Sequence, residues 1–350
     1  GGNLVIENKD KINYLYASDD KFSRVLGTSL YSLYEKNFEN IEHVYIICQG
    51  IKDENKKKIM EIEEKFNMKD TIIFIEMPNF DKIIGKKADI KRYSASMFSR
   101  ILISSLLPKD VNRIIYLDCD TMINTSLEEL WEYDLKNKPI GAVNDYRSVN
   151  YQKNLGIMEE NCYINSGVLL IDLIKYKENK LEERLVNAIG KYNGILEFPD
   201  NDVICKIAQN EIELLPLKYN VTSIFFMTNY KELKTLRKPN ICDEYNIYSS
   251  AISNPSIVHF TTCFLMNGRP WMKNCNHPLT NKYLEYYKKT AWKDEPLQEE
   301  KSNLKNKIKR TIVKILPRKI MIFVVGIVHA YIKPLLQRKK LKSTRNKEIE

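Results

Sequence analysis

The chain is short of several things. Its seven cysteines (Cys48, Cys119, Cys162, Cys205, Cys242, Cys263 and Cys275) form no C-x-x-C pair and no regular spacing. An odd, unpatterned set excludes a disulfide framework and a zinc-ribbon site, and reads as reduced, mostly buried thiols. With no secretory pattern in the opening residues, this gives the expectation of a cytosolic protein. No uninterrupted apolar stretch reaches the ~18–20 residues of a spanning helix. No internal repeat and no low-complexity block is visible.

Positive charge is also scarce over most of the length. The formal net charge is +10 in 350 residues, but 15 of the 55 Lys and Arg and only 2 of the 45 Asp and Glu lie in 301–350. The remaining 300 residues hold 40 basic and 43 acidic groups. A near-neutral body with a basic end does not fit nucleic-acid binding. Basic residues beside apolar ones fit an anionic lipid surface instead.

The first two-thirds alternates strand and helix signals. Ile12–Ala17, Val44–Cys48, Ile72–Ile75, Ile114–Leu117, Ile140–Val143, Gly167–Leu173 and Ser256–Phe260 are short apolar runs. Helical spacing marks Phe22–Tyr34, Asp53–Phe66, Ser96–Leu107 and Leu181–Tyr192, and Pro199-Asp200 opens a further short helix. Such punctuation predicts an α/β fold with a mostly parallel sheet and helices on both faces. Ligands of such sheets bind at the carboxyl ends of strands. Trp292–Asn303 is polar, and Ile308–Leu341 mixes apolar clusters with Lys and Arg.

Two acidic clusters follow strand-like runs. In Ile114-Ile115-Tyr116-Leu117-Asp118-Cys119-Asp120, an extended backbone would turn Asp118 and Asp120 to one side and Cys119 to the other. Two close carboxylates repel unless a cation joins them, and a hard divalent ion such as Mg²⁺ or Mn²⁺ fits. An ordinary turn cap is the competing reading. In Tyr14-Leu15-Tyr16-Ala17-Ser18-Asp19-Asp20 a small residue and acids end the first strand, which suits a nucleoside or a helix cap. His259 ends a strand-like run and is a candidate third ligand. Gly268-Arg269-Pro270-Trp271 offers a fixed cation for a diphosphate. Asn165-Ser166-Gly167 precedes a buried strand, and Asp200-Asn201-Asp202 opens a helix.

Taken in this order, the segments resemble glycosyltransferase family 8, which includes bacterial lipooligosaccharide galactosyl- and glucosyltransferases and glycogenin. The resemblance runs from Ile12 to Trp271. It implies a GT-A fold in one Rossmann-like domain, a UDP-hexose donor, Mn²⁺ or Mg²⁺, and transfer with retention to a saccharide of a cell-surface glycan or glycolipid. It places Ala17, Ser18 and Asp19 at the nucleoside, with Lys21 where some members have Asn. It places Arg100 and Asn165 at the donor, Asp118, Asp120 and His259 on the metal, and Cys119 near the ribose. Asp145 falls on the acceptor or sugar side, and Asp200 on sugar hydroxyls. Gly268 and Arg269 stand at the diphosphate, Arg269 replacing the usual lysine.

There are two departures. Asn201 stands where the family has Gln, one methylene shorter, which weakens a nucleophile's role for it; the resemblance makes Asp200, Asn201 and Arg100 the catalytic expectation and puts Asn201 on the acceptor side as well. The segment from His259 to Arg269 is also longer than in compact members.

The expected division is a catalytic domain over 1–275, a linker over 276–305, and a basic helical tail over 306–350. The tail, through 306–341, is expected on the inner face of the cell membrane, near a lipid-linked acceptor. No nucleic-acid partner is expected. A UDP-binding, non-catalytic family member is the alternative. A sugar nucleotidyltransferase fits less well, because Asp19-Asp20-Lys21-Phe22 is no Gly-rich phosphate loop.

Overall fold

A computed structural model describes residues 11–78, 98–191, 196–300 and 315–347, with side chains to 341. A seven-stranded sheet forms its centre. In chain order the strands of the protein are β1 (Ile12–Asp19), β2 (Ile41–Gln49), β3 (Ile72–Glu76), β4 (Arg113–Leu117), β5 (Thr121–Ile123), β6 (Ile140–Asn144), β7 (Ile164–Asp172), β8 (Ile212–Leu214), β9 (Val221–Thr222) and β10 (Ile257–His259). The large sheet has the order β3-β2-β1-β4-β7-β6-β8, and β5-β10-β9 makes a small second sheet. Within the large sheet only β7 runs against the rest. The carboxyl ends of β1, β4 and β6 therefore share one edge.

The apolar runs arise because both faces of this sheet are covered. Along β1, Tyr14 and Tyr16 enter one buried cluster, and Leu15 and Ala17 the other. The same alternation divides Ile46 from Ile47 and Ile115 from Tyr116. A strand buried on both sides reads as a continuous apolar run, which is why β1, β2 and β4 are visible in the sequence.

The helix expected over Ser96–Leu107 is different. Ser96 and Met97 lie outside the described residues, Phe98 and Ser99 are helical, the chain turns over Arg100–Leu102, and helix resumes at Ile103–Leu106. The break falls at Arg100, whose guanidinium reaches across to Ser166 and Asp118. Glu182 then caps the restarted helix through the backbone N–H groups of Ser104 and Ser105.

The segment expected as a linker is described up to residue 300, and those residues are packed. The Thr280–Tyr287 helix buries Tyr283 and Tyr287, and Trp292 lies buried against Gly27 of the Ser23–Asn37 helix.

The tail is one continuous helical rod, Arg318–Leu341, with a π-turn at Val328–Ile332. By length and composition it is long and apolar enough to cross a membrane. The apolar stretch is shorter than the helix, because the helix runs on past Lys333. One side of the rod is anchored on the body. Met321, Ile322 and Ala330 are buried, Arg318 forks onto Glu232, and Asn150 and Asn154 donate to the carbonyls of Ala330 and Pro334. Ile320, Phe323, Tyr331, Ile332, Leu335 and Leu336 are exposed.

Gly27 gives a clean stability test. A methyl there would sit 2.3 Å from Trp292 Cζ3. Helix propensity alone would favour Ala by about 1 kcal/mol, and overpacking costs about 1–3 kcal/mol. Overpacking wins because the neighbour is a buried ring. Gly27→Ala is expected to lower the unfolding free energy by about 1–2 kcal/mol, measured by denaturant midpoint, and to cost less in a Trp292→Leu background than in the wild type.

Candidate active site

Asp118 and Asp120 converge, but not through a strand pleat. They occupy a turn between β4 and β5, closed by the Thr121 N–H and hydroxyl, which both donate to the Asp118 carbonyl. Cys119 does face away, its thiol donating to the Ala17 carbonyl at 3.1 Å. Burial pushes that thiol well above its ordinary range.

His259 arrives by strand pairing. β10 pairs with β5 so that His259 stands opposite Thr121, and the Phe260 N–H donates to the Asp120 carbonyl. His259 Nε2 lies 3.1 Å from Asp120 Oδ1 and 3.7 Å from Asp118 Oδ2. One ligand atom from each of the three residues falls within 4.8 Å of the others.

Chemistry and space both fit a divalent cation here. Two carboxylate oxygens and an imidazole nitrogen suit Mn²⁺ or a similar ion. Gly167 keeps the ground beside them open: a Cβ there would lie 2.2 Å from His259 Cε1 and 2.8 Å from Asp118 Oδ2. The imidazole is also oriented for ligation. Asn165 Oδ1 accepts from Asn220 Nδ2 at 2.9 Å, which turns Asn220 Oδ1 toward His259 Nδ1 at 3.0 Å. With Nδ1–H donating to Asn220, Nε2 faces the carboxylates, where it donates to them when protonated and offers its lone pair to a cation when not.

Charge around the pair is finely divided. Burial pushes Asp120 up, but His259 and Arg269 outweigh it and hold it at about 2. For Asp118 burial prevails over Arg100 and His259, and its pKa is raised. Burial would lower His259, yet the two carboxylates raise it. Arg269 Nη1 reaches Asp120 Oδ2 at 2.8 Å. Arg100 bridges Asp118 at 2.6 Å and Asp200 at 2.9 Å, and its Nη1 donates to Ser166 Oγ at 2.7 Å.

These side chains line a cavity of about 410 Å³. It brings together Arg100, Asp118, Asp120, Asp145, Asn165, Asp200, Asn201, His259 and Arg269 from the expected set. Ala17, Ser18, Asp19, Cys119 and Gly268 are not on its wall. Asp19 caps the turn at Asp20–Phe22 through the Phe22 N–H, Ser18 is buried, and Gly268 takes a positive φ of 65° in its loop. β1 pairs with β4 in parallel, so Ala17 and Asp19 still end beside the aspartate turn. Asn201 Oδ1 accepts from the Ser166 N–H at 2.7 Å. Asp202 points away from the cavity, buried between the hydroxyls of Tyr151 and Tyr163.

Asn220, Arg147, Arg237, His329 and Lys333 also shape the site and were not among the expected residues. Arg147 carries a local signal, two positions after Asp145. The others come from distant segments and carry none.

This sheet order, with ligands gathered at its carboxyl edge, is that of a GT-A glycosyltransferase. The family model described as Glycosyl transferase family 8 matches residues 13–275, and the chain belongs to that family. General stress protein A of Bacillus subtilis is 27% identical over 81% of this chain and 96% of its own length. A lipopolysaccharide 1,2-glucosyltransferase of Escherichia coli K12 is 24% identical, covering 85% and 83%. The galactosyltransferase LgtC, solved with donor and acceptor sugar analogues, superposes with a TM-score of 0.66 at 19% identity, over 85% of this chain and all of that one.

The geometry generates two expected outcomes. Asn220→Ala removes the orienting partner of His259, and should weaken Mn²⁺ binding by roughly 10–100-fold in a titration followed by electron paramagnetic resonance. Unchanged affinity would show that the relay does not orient the imidazole. Asp202 has its pKa raised from 3.8 to about 6 by burial. Its contribution to stability is complete below about pH 4 and is lost as pH rises to about 6, because the unfolded chain releases the proton first. Relative to Asp202→Asn, the wild type should lose about 3 kcal/mol across that window, read from denaturant midpoints.

Proposed function

We propose that the protein is a metal-dependent, retaining hexosyltransferase that uses UDP-galactose or UDP-glucose and a saccharide acceptor of a cell-surface glycan or glycolipid. The observation that carries this reading is the convergence of Asp118, Asp120 and His259 at the carboxyl edge, next to the end of β1. Mn²⁺ or Mg²⁺ held by these three residues would neutralise the diphosphate of the leaving UDP. Ala17 and Asp19 take the nucleoside. Arg269 adds a fixed guanidinium at the diphosphate, where charge grows as the glycosidic bond breaks. Arg100 ties Asp200 to the aspartate turn, so the sugar-binding carboxylate and the metal ligands keep one spacing.

A front-face route fits the groups beside the sugar. Asp200 is ion-paired with Arg100, and the Asn201 carbonyl oxygen is engaged by a backbone N–H. Neither is a free nucleophile. The acceptor hydroxyl therefore attacks from the side the UDP leaves, and a UDP oxygen takes its proton. Asp145, at the end of β6, belongs to the acceptor side.

The tail supports a peripheral position on the inner membrane face. Its exposed apolar side chains are flanked by Arg318, Lys319, Arg338, Lys339 and Lys340. Each basic group near an anionic surface contributes about 1 kcal/mol.

The decisive measurement is UDP release from each UDP-hexose with Mn²⁺, with and without saccharide acceptors. Chelation should abolish it, and Asp118→Ala or Asp120→Ala should lower it by roughly 100-fold or more. An inverted anomer in the product by NMR, or a glycosyl adduct on Asp200 or Asn201 by mass spectrometry, would sink the mechanism. No release from any UDP-hexose would sink the activity. In flotation with anionic vesicles, Phe323→Asp combined with Leu335→Asp should release the protein; equal flotation would remove the membrane role.

A further inference from the structure

The cavity has a second charged end. β6 lies two strands beyond β4 in the order β4-β7-β6. At a strand spacing of about 4.8 Å, its tip stands about 10 Å from Asp118. This is the side away from β1, where the nucleoside is expected. Arg147 follows the tip of β6. Its Nε faces Asp145 Oδ2 at 3.2 Å, and its guanidinium lies over the Phe198 ring at 4.5 Å.

Arg237 lines the same end. Every other Arg or Lys on the cavity wall has a carboxylate partner: Arg100 has Asp118 and Asp200, Arg269 has Asp120, Arg147 has Asp145, and Lys333 has Glu197. Among the described residues no hydrogen bond or ion pair engages the Arg237 side chain. It is half-buried, and burial and the nearby Arg147 push its pKa down by more than Asp145, which is already paired with Arg147, pulls it up. A helix-end dipole rewards a cation in the last turn. That explains an exposed arginine, but not one turned into a cavity beside another guanidinium. A cation so placed shares its nearest carboxylate, Asp145, with Arg147 and has no partner of its own among the described residues.

The tail holds this residue in place. Gly326 packs so tightly on the Tyr230–Arg237 helix that a Cβ would lie 2.7 Å from the Thr235 carbonyl oxygen. One and two turns on, His329 and Lys333 of the tail line the cavity themselves. The basic tail therefore contributes two side chains to the cavity wall.

We propose that this end is an acceptor subsite for an anionic saccharide, one bearing a phosphoryl or carboxylate group, with Arg237 as its recognition residue and Arg147 beside it. The subsite deepens the transferase reading above and rests on it for the word acceptor. Guanidinium forks match both oxyanions. Sugar hydroxyls alone would leave Arg237 without a counter-charge of its own.

The test uses the full chain with Mn²⁺ and saturating UDP, so that the probe does not enter the diphosphate position. Glucose, glucose 6-phosphate and glucuronate are titrated by NMR. One or both anionic probes should bind roughly tenfold or more tightly than glucose, and the two arms separate phosphoryl from carboxylate recognition. That preference should fall with rising salt, while glucose binding stays level. R237Q should erase the preference and R237K should keep part of it. Equal affinities in the wild type, a preference that survives R237Q, or an equal loss for all three probes would overturn the subsite. The salt series needs no variant. UDP release measured in parallel separates the two proposals. Release without an anionic preference overturns the subsite alone. A preference without release supports the anion site and overturns the transferase reading.

Discussion

Two carboxylates held against each other are the constraint on which the rest of the site depends. Asp118 and Asp120 sit in one tight turn, and their mutual repulsion has to be met from every side. His259 meets it from the small sheet, Arg269 from the loop after it, and Arg100 from across the cavity. Each of these groups is then fixed by something further. Asn220 and Asn165 fix the imidazole, and Ser166 and Asp200 fix Arg100. Gly167 is part of the same arrangement, because any side chain there would occupy the space the ligands share.

The second organising element is the tail. One of its sides is tied to the body through Arg318, Gly326 and Ala330, and another exposes apolar side chains among basic ones. It is not an appendage. His329 and Lys333 stand on the cavity wall, so whatever surface the exposed side meets is structurally continuous with the proposed acceptor end of the cavity. A lipid-linked saccharide would meet both.

The strands were legible for a simple reason. Each interior strand of the large sheet is covered on both faces, so its apolar run is unbroken and short. The interruption of the helix over Ser96–Leu107 was not legible, because Arg100 leaves the helical path to serve the site and Glu182, 78 residues beyond Ser104, caps the helix where it restarts. The packed residues after Asn276 were misread as linker for a related reason. Their polar composition hides three aromatic anchors, Tyr283, Tyr287 and Trp292, that find the Ser23–Asn37 helix and its neighbours only in the folded chain.

By itself the sequence determined the α/β class, the family resemblance and which side chains form the candidate metal cluster, since periodicity and ordered short motifs are local properties. Tertiary structure decided how those side chains meet. The aspartates converge by a turn and not by a pleat. His259 reaches them through the register of β5 with β10, between segments about 140 residues apart. Arg237 and the tail reach the cavity from other, separate stretches of the chain. Long-range strand register and helix packing are set by which buried surfaces fit together, and no window of neighbouring residues contains that information.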